Sequence, residues 1–329
     1  MITSEIVPFS HPALPVLWEQ IADRTEALRR QSKAENTRRA YASDWRQFTA
    51  WCMFSGISSL PARPEAVAGY LSHLTMSKTP TGHDYATNTI ARRLASISHF
   101  HREAGKPDPT QDERVRTIMD GVRRENATRP TRAKAALLTK NLKRGLRAEP
   151  AKFADFRNRA MVLVGFAGAF RSSELLGMDV EHLSFDEEGR VQIRLPRSKT
   201  NQNGELETVW LLSGGDHCPV KALKRWLEVS GIVTGPLFQH VDRHGNLRGR
   251  LSKDMVSYVV KRLAKRVGLD PKAFAAHSLR SGHVTQALLN DVPLATVQQQ
   301  TRHRNIQTLV SYNRHIEPMK RNSSASLGL

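Results

Sequence analysis

Six side chains in this 329-residue chain have the types needed to grip and open a phosphodiester: Arg171, Lys199, His277, Arg280, His303 and Tyr312. Four of them fall close together near the end, in Ala276-His277-Ser278-Leu279-Arg280-Ser281-Gly282-His283, Thr301-Arg302-His303-Arg304 and Ser311-Tyr312-Asn313. Cleaving such a bond requires a nucleophile, charge stabilisation on the phosphate and an acid for the leaving oxygen. A phenol can attack, and a guanidinium fork fits two nonbridging oxygens better than an ammonium does. Arg280 follows His277 by three residues, so both can address one phosphate from the start of a helix. Arg171 directly follows an apolar run, and Glu174 lies one helical turn on, able to hold a neighbouring arginine or histidine in place. Lys199 sits in a polar turn and can protonate a leaving oxygen.

The other way to stabilise phosphate charge is a divalent metal on clustered carboxylates, and the sequence supplies little for it. Asp186-Glu187-Glu188 adjoins Gly189 and reads as a solvated turn. No glycine loop carries a phosphate-binding lysine, and no histidines or cysteines have zinc-type spacing. His277 and His283 are six apart, not the four that places two ligands on one helix face. Each of the six residues taken alone has a plain alternative: a surface arginine, a structural histidine, a core tyrosine, a solvated lysine. Their order and intervals together favour chemistry.

The composition agrees with a polyanionic partner. Fifty Lys+Arg against thirty-one Asp+Glu leave a net charge of +19, divided as +6 before residue 137 and +13 after it. Nucleic acid is the default partner for such a chain, and no lipid anchor or basic amphipathic terminus supports a membrane instead. Hydrophobic residues at 39% and charged residues at 25% describe a globular chain. The apolar run Met161–Phe170 is about half a membrane span and reads as a buried helix. The opening residues MITSEIVPFSHPALP show no secretory signal, and Cys52 and Cys218 read as reduced residues of a cytoplasmic protein.

The elements that must position these groups can be read from periodicity. Helical spacing predicts helices over about 16–31, 38–54 (Tyr41, Trp45, Phe48 and Trp51 near one face), from Pro64, from Thr87 and over 111–124. On the helix from Thr87, Ile90, Leu94, Ile97 and Phe100 are expected inward and Arg92 and Arg93 outward. The stretch 125–132 has no apolar period, is basic and carries Pro130; it reads as a linker. Beyond it come helices over 139–147, 153–170, 219–229 and 251–267, strand-like runs at 190–195 and 206–212, and short helices from 279 to Tyr312. The predicted fold class is mainly α: a helical unit, then a mixed, mostly helical unit with a small antiparallel sheet. The expected domains are 1–125, a 126–136 linker and 137–329.

The order Arg171-Ser-Ser-Glu174-Leu175, Lys199, His277-Ser-Leu-Arg280, His303, Tyr312 resembles the tyrosine recombinase (phage-integrase-type) family across nearly the whole chain. The two-domain plan is similar to Cre- and Xer-type recombinases, which implies a SAM-like helical core-binding domain ahead of the catalytic one. The resemblance implies that Tyr312 attacks DNA to form a 3′-phosphotyrosyl bond, with Arg171, Arg280 and His303 on the nonbridging oxygens. It implies Lys199 as general acid, His277 as proton acceptor or donor near the nucleophile and Glu174 as support, with no metal, ATP or other cofactor. The implied partners are double-stranded DNA with an inverted-repeat site and a homotetramer on two such sites, working through a Holliday junction in the cytoplasm or nucleoid. The alternatives are a silent DNA-binding protein of the same fold and a type IB topoisomerase-like or telomere-resolving enzyme.

Two departures from the family pattern stand out. The family's usual glycine before the histidine is Arg302 here, which either tightens a DNA contact or alters the loop. The seventeen residues after Tyr312 hold few apolar side chains (Met319, Leu327, Leu329), so the family's docking of a C-terminal helix on a neighbour is expected to be weak. Candidate DNA contacts are Arg39, Arg46, Thr89, Arg92 and Arg93 in the first domain and Arg197, Arg250 and Lys253 in the second, the two domains clamping the duplex.

Overall fold

Pro64 opens a helix because its fixed φ suits the first helical position and its missing N–H is not needed there. That helix, α3 (Pro64–Met76), packs with α2 (Glu35–Phe54), α4 (Thr87–Glu103) and α5 (Glu113–Ala127), following α1 (Leu14–Gln31). The structure, a computed structural model, describes residues 14–31, 35–127, 134–195 and 207–313. The chain divides into two units, Met1–Thr131 and Arg132–Leu329.

In the first unit Phe48, Tyr70, Leu71, Ile90, Ile97 and Met119 form the centre of the core. The predicted inward face of α4 is there, but Arg93 departs from its expected outward position and is only 6% exposed. Its guanidinium donates to the Tyr70 hydroxyl at 2.9 Å and to Gln47 Oε1, and lies 4.4 Å from the Tyr85 ring centroid. The physical reason is Asp44, a buried carboxylate on α2 that needs cations: Arg92 meets it with two hydrogen bonds of 2.7 and 3.0 Å, and Arg93 lies 3.8 Å away.

The second unit is built around α7 (Phe153–Ala167), the apolar run read as a buried helix, packed along α9 (Pro219–Ser230). Trp226 of α9 is fully buried and its indole N–H donates to the Leu237 carbonyl at 2.9 Å. Strands β1 (Leu183–Phe185), β2 (Val191–Arg194) and β3 (Thr208–Leu211) pair antiparallel in that order. The register sets Val191 opposite Leu211 and Ile193 opposite Val209, so each strand's alternate residues enter the core. A separate hairpin, β4 (Gln239–Val241) with β5 (Leu247–Arg250), was not legible in the periodicity because its residues are mostly polar and exposed.

Five more helices complete the unit: α6 (Thr139–Gly145), α8 (Ser172–Gly177), α10 (Lys253–Arg266), α11 (His277–Leu289), α12 (Leu294–Thr301), with α13 (Ile306–Asn313) closing the described chain. The helix predicted to reach Phe170 stops at Ala167, because Ala169 turns the backbone into the left-handed region at φ 48°. This is the mainly helical architecture with small antiparallel sheets that the sequence predicts.

Candidate active site

The left-handed turn at Ala169 has a use. It aims the Ala169 carbonyl at Arg280, whose Nη1 donates to it at 2.6 Å. Arg171 then caps α8: its backbone N–H donates to Glu174 Oε2 at 2.9 Å, and its Nη1 donates to Glu174 Oε1. Glu174 is 2% exposed. Burial alone would raise its carboxyl, but the charge of Arg302 and the hydrogen bonds and charge of Arg171 outweigh that and hold it below the usual carboxylate range.

Helix α11 brings His277 and Arg280 to the same place from its first turn, as their spacing predicts. Residues 135–139 are laid along α11. The Leu137 N–H donates to the Ser278 carbonyl at 3.1 Å, and the Thr139 N–H to Gln286 Oε1 at 3.2 Å. The approach is close enough that Gly282 has no room for a Cβ, which would overlap the Leu137 carbonyl. Arg280 is almost fully buried; besides Ala169 it donates to the Thr301 carbonyl and lies 3.3 Å from His303 Nε2. Burial first, then the neighbouring Arg171, lower its guanidinium to about 10, still protonated at neutral pH.

His303 follows α12. Thr301 spends its hydroxyl proton on the Val297 carbonyl at 2.7 Å, so Nδ1–H of His303 is the donor in its 2.7 Å contact with Thr301 Oγ1. That tautomer turns the Nε2 lone pair toward Arg280. Burial and the charges of Arg280 and Arg171 push His303 down to about 4, so the ring is neutral.

Tyr312 rides on α13, which is anchored through Leu309 to Val284, Leu288 and Val297. Its hydroxyl lies 3.2 Å from His277 Nε2, and its ring centroid is 6.5 Å from that of His303. Burial raises the phenol above its ordinary value, with Arg280 opposing. Burial, then Arg280 and Arg171, hold His277 below its ordinary value, so it is available as a neutral base. A phenol beside a neutral imidazole, at the rim of two guanidiniums, has the chemical makeup for a nucleophile, a base and an anion clamp.

Residues 135–318 match the Phage integrase family, and residues 25–106 match the Phage integrase, N-terminal SAM-like domain. The chain belongs to the phage integrase family. It is 36% identical over 296 residues to the integrase/recombinase xerD homolog of Selenomonas ruminantium, covering 87% of this chain and 84% of that one. It is 25% identical to the recombinase cre of Escherichia phage P1, covering 88% and 86%. A solved structure of the Tn1549 transposon integrase in complex with transposon right end DNA shares the fold, with a TM-score of 0.61, 14% identity and coverage of 91% and 97%.

Within this integrase-family chain, the structure brings Arg171, Glu174, His277, Arg280, His303 and Tyr312 together, while Lys199 and Arg197 lie outside the described residues. Arg302 is neither a surface contact nor only a loop change: its side chain is 8% exposed and donates to Glu174 Oε2 at 2.9 Å. Sequence reasoning missed Thr301 and the Ala169 carbonyl, whose roles depend on backbone geometry that residue types do not signal.

The candidate DNA contacts separate by what already holds them. Arg39 and Arg46 on α2 and Lys253 at the start of α10 are exposed, with Arg39 paired to Glu35 one turn away. Thr89 is half-buried in the first turn of α4, and Arg92 is exposed but braces Asp44. Arg250 donates to the Leu176 carbonyl at 2.6 Å and to Asp179 at 2.7 Å, closing the end of α8, so its fork is already occupied.

Proposed function

We propose that this chain is a site-specific DNA recombinase that cleaves and rejoins DNA through a 3′-phosphotyrosyl bond at Tyr312. The observation that carries the reading is the 3.2 Å approach of the Tyr312 hydroxyl to His277 Nε2, beside Arg280 and His303. In the cleavage step the phenolic oxygen forms a bond to phosphorus and the bond to the 5′-oxygen breaks. The phenolic proton passes to His277, and Lys199 supplies the proton the 5′-oxygen takes up. Arg171, Arg280 and His303 take the nonbridging oxygens, His303 by taking up a proton from solvent at Nε2 as the phosphate arrives, with Glu174 fixing Arg171. A buried phenol with a raised pKa needs both the base and the cations to attack near neutrality. Rejoining reverses the step with a new 5′-hydroxyl, and the phosphotyrosyl bond conserves the energy of the phosphodiester.

The 1–125 domain and the 137–329 domain, joined by 126–136, clamp a duplex site with inverted repeats, and four copies act on two sites through a Holliday junction. Arg39, Arg46, Thr89, Arg92, Arg197 and Lys253 are the phosphate and groove contacts of this reading. The net charge of +19 supports it. Among the described residues no helix is long and apolar enough to cross a membrane. The place of action in this reading is the cytoplasm, at the nucleoid if the cell is prokaryotic.

The test is a nicked suicide duplex carrying the inverted repeats that flank the gene. The wild-type chain is expected to form a covalent adduct at the 3′ side of the break, and Tyr312→Phe is expected to bind the DNA equally and form none. An adduct that survives in Tyr312→Phe overturns the assignment. Relaxation of supercoiled DNA lacking any such site would mark a topoisomerase instead, and binding without any adduct a silent DNA-binding protein.

A further inference from the structure

Arg302 closes α12 with φ 57° and ψ 43°. Glycine adopts this left-handed conformation freely, whereas an arginine sets its Cβ against its own backbone. An arginine that only filled a loop position would leave its side chain in water; this one is 8% exposed. Its Nη2 donates to Glu174 Oε2 at 2.9 Å, its Nη1 to the Gln300 carbonyl at 2.7 Å, and its guanidinium lies 5.2 Å from the Phe170 ring centroid. Its Nε is buried with no partner, so the site tolerates an unmade hydrogen bond to keep the group there. The other end of the residue engages the same pair: the Arg302 carbonyl lies 3.4 Å from Arg171 Nη2.

Glu174 therefore has two cations. Arg171 holds Oε1 and, through its backbone, Oε2, while Arg302 holds Oε2. Without Arg302 a buried carboxylate would have Arg171 as its sole guanidinium partner among these contacts. It would then be short of counter-charge in its buried setting and hold Arg171 less firmly.

We propose that Arg302 is a positioning residue, an ionic latch that shares Glu174 with Arg171, keeps that carboxylate where it holds Arg171 for the phosphate and ties down the turn carrying His303. This rests on the reading that Arg171 and His303 bind the scissile phosphate.

Two measurements test it. In single-turnover cleavage of the suicide duplex, Arg302→Gly and Arg302→Met are expected to slow adduct formation roughly ten- to a hundredfold with DNA affinity held within about twofold. Millimolar guanidinium chloride is expected to restore part of the rate to Arg302→Gly. In a Glu174→Gln background, Arg302→Met should add almost nothing. Wild-type cleavage by Arg302→Gly, or the full Arg302→Met defect in the Glu174→Gln background, overturns the latch. The second measurement needs no cleavage: urea unfolding of Glu174→Gln, Arg302→Met and the double variant should show a coupling of about tenfold in the unfolding constant. Zero coupling overturns the latch whatever the chain does to DNA, while absence of an adduct in the wild type with coupling intact counts against the functional reading alone.

Discussion

His277 and Tyr312, thirty-five residues apart in sequence, meet with ring nitrogen and hydroxyl 3.2 Å apart. One comes from the first turn of α11 and the other from the last turn of α13. Leu309 is what joins them, because its burial against Val284 and Leu288 of α11 fixes the face that α13 presents. Removing the base should therefore affect the chemical step more than DNA binding. His277→Ala is expected to slow adduct formation by about 10²-fold or more, the usual contribution of a placed acid or base, with Kd unchanged. The pair is assigned wrongly if quench-flow on the suicide duplex shows a wild-type rate.

Acid should weaken the second unit through His303. Its folded value of about 4 lies below its ordinary 6.5, so as pH falls the unfolded chain takes the proton first. The stability it contributes is complete above pH 6.5 and is lost progressively as pH falls toward about 4. Urea unfolding at pH 7 and pH 4.5 is expected to show a larger loss in the wild type than in His303→Gln. Proton NMR should find the His303 ring neutral at pH 5; a midpoint near 6.5 would contradict the buried, cation-flanked setting.

Gly282 should not tolerate a methyl group. A Cβ there overlaps the Leu137 backbone carbonyl, which cannot rotate away as a side-chain end could. Gly282→Ala gains helix propensity in α11 yet is expected to lose about 1–3 kcal/mol through displacement of residues 135–139. A thermal melt of the variant at or above the wild-type midpoint would show that this stretch moves freely.

Two arginines of the first unit should behave oppositely. Arg93→Ala strips buried partners from Tyr70 and Gln47 and a nearby cation from Asp44, and is expected to cost about 1–3 kcal/mol of stability. It should leave the salt dependence of DNA binding unchanged. Exposed Arg46→Ala should leave stability unchanged and reduce the slope of log K against log salt by about one. Filter binding across a salt series, with melts on the same samples, separates the two.

Much of the site was legible because its chemistry requires specific side chains at specific intervals. Arg171 with Glu174, and His277 with Arg280, are one helical turn apart, and a turn is a local property. The buried α7 and the alternation of β2 and β3 were legible for the same reason. The paired strands β4 and β5 were not, because their few exposed polar residues carry no alternation.

By itself, then, the sequence determined which residues are chemically able to act, the helical class of the fold and the basic character that draws a polyanion. Periodicity names a face but not what that face meets. Only the tertiary structure decided that Arg93 serves a buried Asp44 and that Arg250 is spent on the end of α8. Only it turned Arg302 inward onto Glu174, because a left-handed residue's side-chain direction is set by the loop it closes and by the buried charge waiting there.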